Sequence, residues 1–148
     1  MAVPSAEELM KRVRQSAERG NLCRRSVIAV GLGVLGEARA DAVRAAGGRG
    51  GADGFLGVTC GALTAAGVLI ASAAAGRLDR DLMYMLIQEL EDRFDEELAS
   101  AYPGNKCDDF LEADPEKVPT QVCPPIIAGA IRIALELLEE KGIEAGNA

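Results

Sequence analysis

From Gly54 to Gly76 the chain runs without a charged residue, and an uncharged stretch of that length belongs either in a bilayer or in the interior of a protein. Its composition favours the interior. Ala, Gly, Thr and Ser dominate it, and only Phe55, Leu56, Val58, Leu63, Val68, Leu69 and Ile70 are strongly lipophilic, too few for a stable span. The stretch reads as a buried central helix, and Gly57, Gly61, Ala62 and Ala66 would let neighbouring helices approach it closely.

The flanking segments supply helices to surround it. Ser5-Ala6-Glu7-Glu8 is a capping box, followed by Leu9, Met10, Val13 and Ala17 at helical spacing until Gly20. Asn21 is placed to cap a second helix in which Cys23, Val27, Val30 and Val34 share a face. Ala38 to Ala46 reads as a short Ala-rich helix stopped by Gly47 and Gly48. Asp79 to Ser100 carries Leu82, Leu86, Leu90, Phe94 and Leu98 on one stripe, with Met83 and Ile87 beside it. Glu89, Glu91, Asp92, Asp95, Glu96 and Glu97 form its other, solvated face. Cys107 to Leu111 suits a short helical turn, and Glu112 to Thr120 reads as a loop. Thr120 to Pro125 opens a last helix, whose prolines are tolerable in a first turn and whose apolar face runs through Ile126, Ile127, Ala130, Ile131, Ala134, Leu137 and Leu138. The expected fold is all-α, one domain over residues 1–148, a bundle of about five or six helices around the small-residue helix.

One motif argues for a different fold. Gly31-Leu32-Gly33-Val34-Leu35-Gly36 follows a β-branched run, and Asp53 lies 22 residues past Gly31, which is the dinucleotide fingerprint on paper. The frame around it is absent. Asp53 sits inside a Gly-rich turn, and no later segment supplies the alternating strands of a βαβ sheet. The glycines read as the contact face of a helix ending near Gly36.

At 148 residues the chain can bury a core without disulfides, so its four cysteines point to chemistry. It contains no His, which removes c-type haem attachment, Cys₂His₂ zinc, Rieske centres and His-dependent nucleophilic catalysis. The net charge is −7, with nine Lys/Arg against five Asp/Glu in residues 1–50 and seven against eighteen thereafter. An acidic balance of this size argues against nucleic acid as a partner. The N-terminus has neither a basic region nor an apolar one of signal-peptide type, so a cytoplasmic location is expected. In a reducing compartment cysteines point to metal or redox chemistry.

Cys23, Cys60, Cys107 and Cys123 are 37, 47 and 16 residues apart, so none forms a C-x-x-C pair. Each stands near the expected start of a helix. With Thr59 as N-cap, Cys60 would be the first helical residue, where free N–H groups and the positive dipole end favour thiolate. Helix starts gathered by the fold would make a pocket suited to anionic sulfur, and Arg24 and Arg25 turned inward would add to it.

Cys23 after Asn21-Leu22, the block Cys60-Gly61-Ala62 behind a Gly-rich turn, then Cys107 and Cys123, resemble the family described as "Putative redox-active protein" and named for its C_GCAxxG_C_C pattern. The block departs from the pattern: its Gly-Cys-Ala is here Thr59-Cys60-Gly61, or, with Cys60-Gly61-Ala62 aligned as Cys-Gly-Ala-x-x-Gly, the closing glycine is replaced by Ala65. The resemblance implies a small helical protein whose four cysteines form a redox site, with Gly61 and Ala62 lining whatever that site holds.

Three chemistries suit such a site. The four thiolates could ligate an iron–sulfur cluster and carry electrons, or pairs of cysteines could cycle between dithiol and disulfide without metal. Otherwise they hold a structural zinc or act as small apolar side chains. An oxidoreductase or electron-transfer partner is implied by the first two, and a homo-oligomer is compatible with all. A helical interaction module with incidental cysteines is the alternative of a different class.

Overall fold

Six helices can be set out in full among the described residues, and local interactions mark where several of them begin or end. The computed structural model describes residues 3–21, 23–36, 42–43, 59–111 and 119–143. Helix α1 is Ala6–Glu18, opened by the Ser5 hydroxyl accepting from the Glu8 N–H at 3.1 Å. The Glu8 carboxylate turns to Arg12 at 2.9 Å. Gly20, at φ +87°, closes the helix, with the Gly20 and Asn21 N–H groups donating back to the Ala17 and Ser16 carbonyls in the manner of a Schellman cap. Asn21 then ties the turn to both helices. Its amide donates to Ser16 Oγ, and its carbonyl accepts from Ser26 Oγ, which also donates to buried Ser16.

Helix α2, Cys23–Val34, runs straight through the β-branched segment and through Gly31 and Gly33. The first two fingerprint glycines are therefore helical, as the missing βαβ frame required. Gly36 at φ +78° ends the run, and at Gly31 a Cβ would collide with the isobutyl group of Leu69, so glycine there sets the approach of two helices. The segment 38–46 lies outside the described residues apart from Ala42 and Val43, which are helical. Asp53, the Gly-rich turn and the loop at 112–118 lie outside them as well.

Helix α3 is Gly61–Ala74, α4 is Arg80–Glu97, α5 is the five-residue Cys107–Leu111 and α6 is Pro119–Glu140. The described part of the uncharged stretch buries one face, with Ala62, Ala66, Leu69, Ile70 and Ala74 fully enclosed, whereas Val68 is exposed. It shares the centre with α6, which packs against all five other helices. Helix α6 starts earlier than its prolines suggested. Pro124 and Pro125 lie inside it, so their missing N–H groups fall in the second turn and leave the Thr120 and Gln121 carbonyls without their i+4 donors. Burial of Ile131, Ile133, Ala134, Leu137 and Leu138 on this helix offsets that loss.

On α4 the stripe Leu86, Leu90 and Phe94 is buried, whereas Leu82 is exposed. Its acidic face is more than solvated. Arg93 and Glu97 of α4 and Arg132 and Glu136 of α6 close a four-membered ring of alternating charge, with Arg93 bonded to Glu97 and Glu136 at 2.7 Å each and Arg132 bonded to both at 3.0 Å. Asp95 accepts from Asn105 Nδ2. The ring fastens the two helices at their solvent edge. The hydrogen bond from Arg93, helped by that from Arg132, holds the Glu97 carboxyl below the usual carboxylate range against the opposing effect of burial.

A folded-state pKa below the unfolded one means that the ring stabilises above the ordinary carboxylate range and loses its effect as pH falls through the lowered value. Glu97→Gln should therefore cost about 0.2–1 kcal/mol at pH 7, as partly exposed pairs do. Melting curves of the two proteins should converge on acidification, and a gap that persisted at pH 2 would show that the ring's charge is not its contribution.

Among the described residues one segment, Gln121–Glu140, has the length and hydropathy of a membrane span, and 67% of its apolar window is buried inside the fold. That burial is what a core helix shows.

Candidate functional site

The site is made by a two-residue clasp. Thr59 and Lys106 form an isolated antiparallel bridge, and the Cys60 N–H donates to the Asn105 carbonyl at 2.9 Å. Immediately past the clasp both segments turn into helices, α3 after Cys60 and α5 at Cys107. The N-cap of α3 is thus Cys60 itself and not Thr59, because Thr59 is held extended by its bridge. On the other side Asp109 Oδ2 accepts from the Lys106 N–H at 3.0 Å, fixing the entry to α5. Gly104 makes room for that carboxylate, since a Cβ there would stand 2.5 Å from Asp109 Oδ2.

Helix α2 brings in Cys23 as its first residue, and α6 brings in Cys123 one turn from its start. The four sulfurs, expected to meet through the tertiary fold, line one small apolar cavity of about 20 Å³ together with Ala62, Phe110, Ile126 and Ile127. All four are thiols; Cys60 is buried at 7% exposure and the other three are half-buried. Gly61 is required by this approach. A Cβ on it would lie 2.5 Å from Cys23 Sγ and 3.0 Å from Arg24 Cγ. Ala62 lines the cavity directly, and Gly61 acts by its lack of a side chain.

The electrostatics run against the expected thiolate. The Cys60 thiol is pushed far up, first by its hydrogen bond with Cys107 and then by burial, while the backbone N–H groups of Ala62 and Leu63 pull the other way and lose. Burial also raises Cys23, with the Arg24 charge only partly opposing it. Cys123 is raised to about 11 by burial and by the sulfurs of Cys23 and Cys107. Helix-end donors do favour S⁻, but an enclosure without polar lining outweighs them. Arg24 lies beside Gly61 at the edge of the site, and Arg25 Nε is buried without a hydrogen-bond partner among the described residues.

Four sulfurs with no oxygen or nitrogen competitor form the donor set that soft metals prefer. As they stand, among the described residues no three Cys, Asp or Glu groups are arranged to hold one metal ion. About 20 Å³ is room for a body of roughly one water's size, so the sulfurs must move to ligate a metal and spread further for a cluster.

The sequence placed Ile126 and Ile127 on an apolar helix face but assigned neither them nor Phe110 to the cysteine site. Their signal was helical offset, since Phe110 follows Cys107 by three residues and Ile126 and Ile127 follow Cys123 by three and four. Asn105 and Lys106 had no such signal.

No curated protein and no solved structure matches the chain. Residues 21–137 match the model of the family described as "Putative redox-active protein (C_GCAxxG_C_C)", a match that runs from just before the first cysteine to well past the fourth. The chain belongs to that redox-active family.

Proposed function

We propose that the protein carries electrons at its four-cysteine site, with Cys23, Cys60, Cys107 and Cys123 as the ligands of an iron–sulfur cluster. The observation behind this reading is the convergence of four thiols from four separate segments on one cavity with no polar lining. A bound cluster would supply one-electron chemistry at a potential set by its surroundings. The chain's own contribution is to those surroundings. Phe110, Ile126 and Ile127 exclude water, the Ala62 and Leu63 N–H groups stand at the Cys60 sulfur, and Arg24 places a positive charge near Cys23, all of which tune a thiolate-bound centre. An oxidoreductase would be the partner, in the cytoplasm, with nucleic acid excluded by the acidic surface charge.

The test is a visible spectrum with iron and acid-labile sulfide analysis on protein purified without oxygen, then reconstituted with ferrous iron and sulfide. Iron and sulfide in matching amounts with visible absorption are expected, lost in Cys60→Ser. Protein that stays colourless and metal-free after reconstitution overturns the cluster and leaves a thiol–disulfide cycle as the redox chemistry, the reading favoured by the contact between Cys60 and Cys107.

A further inference from the structure

The four thiols are not equivalent. Cys60 and Cys107 are joined by a hydrogen bond between their side chains, and their backbones are held by the Thr59–Lys106 bridge and the Cys60 N–H to Asn105 bond. Cys23 and Cys123 enter from other helices and have no backbone clasp of this kind with either of them among the described residues. We infer that Cys60 and Cys107 are the disulfide-forming pair of the site, and that their oxidation withdraws two of its four sulfurs and closes it to metal.

The step balances with hydrogen peroxide as the oxidant. Cys107, the more exposed of the two, attacks one peroxide oxygen, breaking the O–O bond and releasing water with the thiol proton, which leaves a sulfenic acid. The Cys60 sulfur then attacks the Cys107 sulfur. The S–S bond forms, the S–OH bond breaks, and a second water leaves with the Cys60 proton. Two thiols give up two electrons, and one peroxide becomes two waters. The apolar lining favours this ending, since it keeps the sulfenic acid beside a thiol and away from bulk water.

Pairing needs no metal, whereas its effect on loading rests on the four-cysteine ligation proposed above; two readouts separate them. Trypsin places each cysteine on its own peptide, because Arg19, Arg24, Arg49, Arg77, Lys106, Lys117 and Arg132 bracket them. Metal-free, reduced full-length protein is treated with one equivalent of peroxide, blocked with an alkylating agent under denaturing conditions, digested and mapped. The expected product joins the Cys60 and Cys107 peptides in at least tenfold excess over any other pair, and it persists in Cys123→Ser. Comparable amounts of several pairs, a dominant link through Cys23 or Cys123, or no intramolecular link overturns the assignment. Reconstitution with iron and sulfide is then compared before oxidation, after it, and after dithiothreitol. Loss and recovery of visible absorption supports the closure. Equal loading in all three states overturns it, and no loading in any state counts against the ligation alone, leaving the peptide map to decide the pair.

Discussion

Phe110→Ala is expected to cost about 3–5 kcal/mol, the range for deleting a buried aromatic ring, and to open the cysteine site in the same stroke. Phe110 is 2% exposed and is the main anchor of α5, a helix of five residues too short to be stable alone. It stands edge-on to Phe94, with centroids 6.1 Å apart, and to Tyr102 at 4.8 Å, contacts that add to its burial. The same ring walls the cavity that Cys23, Cys60, Cys107 and Cys123 line. Removing it admits water to thiols whose protonation depends on burial, so Cys123 should move down from about 11 toward the ordinary thiol value. Chemical denaturation gives the first effect, and the pH dependence of iodoacetamide labelling in the folded state gives the second. Phe110→Leu, which keeps most of the volume, should recover much of the stability and slow the labelling. Equal labelling of Phe110→Ala and the parent would mean that the ring does not keep water from the sulfurs.

The second large effect is a contrast within one helix. Gly61→Ala puts a methyl group 2.5 Å from Cys23 Sγ and 3.0 Å from Arg24 Cγ. The Arg24 side chain can swing aside, but the Cys23 sulfur cannot, because Cys23 has a single side-chain torsion and begins its own helix. Overpacking of this sort costs about 1–3 kcal/mol, and here the atom displaced is a sulfur of the site. Gly67→Ala on the same helix should have the opposite sign. A Cβ there meets Ile87 Cγ2 and Leu90 Cδ2 at an ordinary 4.0 Å, so the gain in helix propensity, up to about 1 kcal/mol, goes unopposed. Thermal melts of the two variants should move in opposite directions. In Gly61→Ala the Cys60 to Cys107 link should still form while metal loading falls, because only the approach of α2 is disturbed. A Gly61→Ala protein as stable as Gly67→Ala would show that α2 shifts at no cost.

Much of this architecture was legible before the coordinates, for reasons that separate local from distant causes. Ser5 announced its helix through short-range capping and accepts the expected backbone N–H; Asp79, read only as the start of a helix, caps it in the same way. Leu86, Leu90 and Phe94 of α4 and the apolar face of α6 point inward as their spacing requires, with Leu82 the exception. The chemical kinship of the four cysteines carried over to their meeting in space. What stayed hidden depends on contacts between segments far apart in the chain. A bridge of one residue pair between Thr59 and Lys106 has no periodicity to detect, and it moved the N-cap from Thr59 to Cys60. The charge ring needed Arg132 and Glu136 to face Arg93 and Glu97 across two helices, so Glu97 read as solvated. The thiol protonation was misjudged because a helix end is visible in sequence and the enclosure around it is not.

The clasp also imposes an order on how the molecule comes into being. Its two strands are 47 residues apart, a separation whose closure brings no local reward until the flanking helices are in place. The last cysteine sulfur to leave the ribosome, that of Cys123, rides on the helix against which the five other helices set out above pack. No earlier stage of synthesis can therefore hold the four sulfurs together, however long the first sixty residues have waited. Until α6 has been made and has packed, the other three thiols lack the enclosure that raises them. The closed, protonated site is thus the product of the last helix to be made, and not of any segment that carries the first three sulfurs.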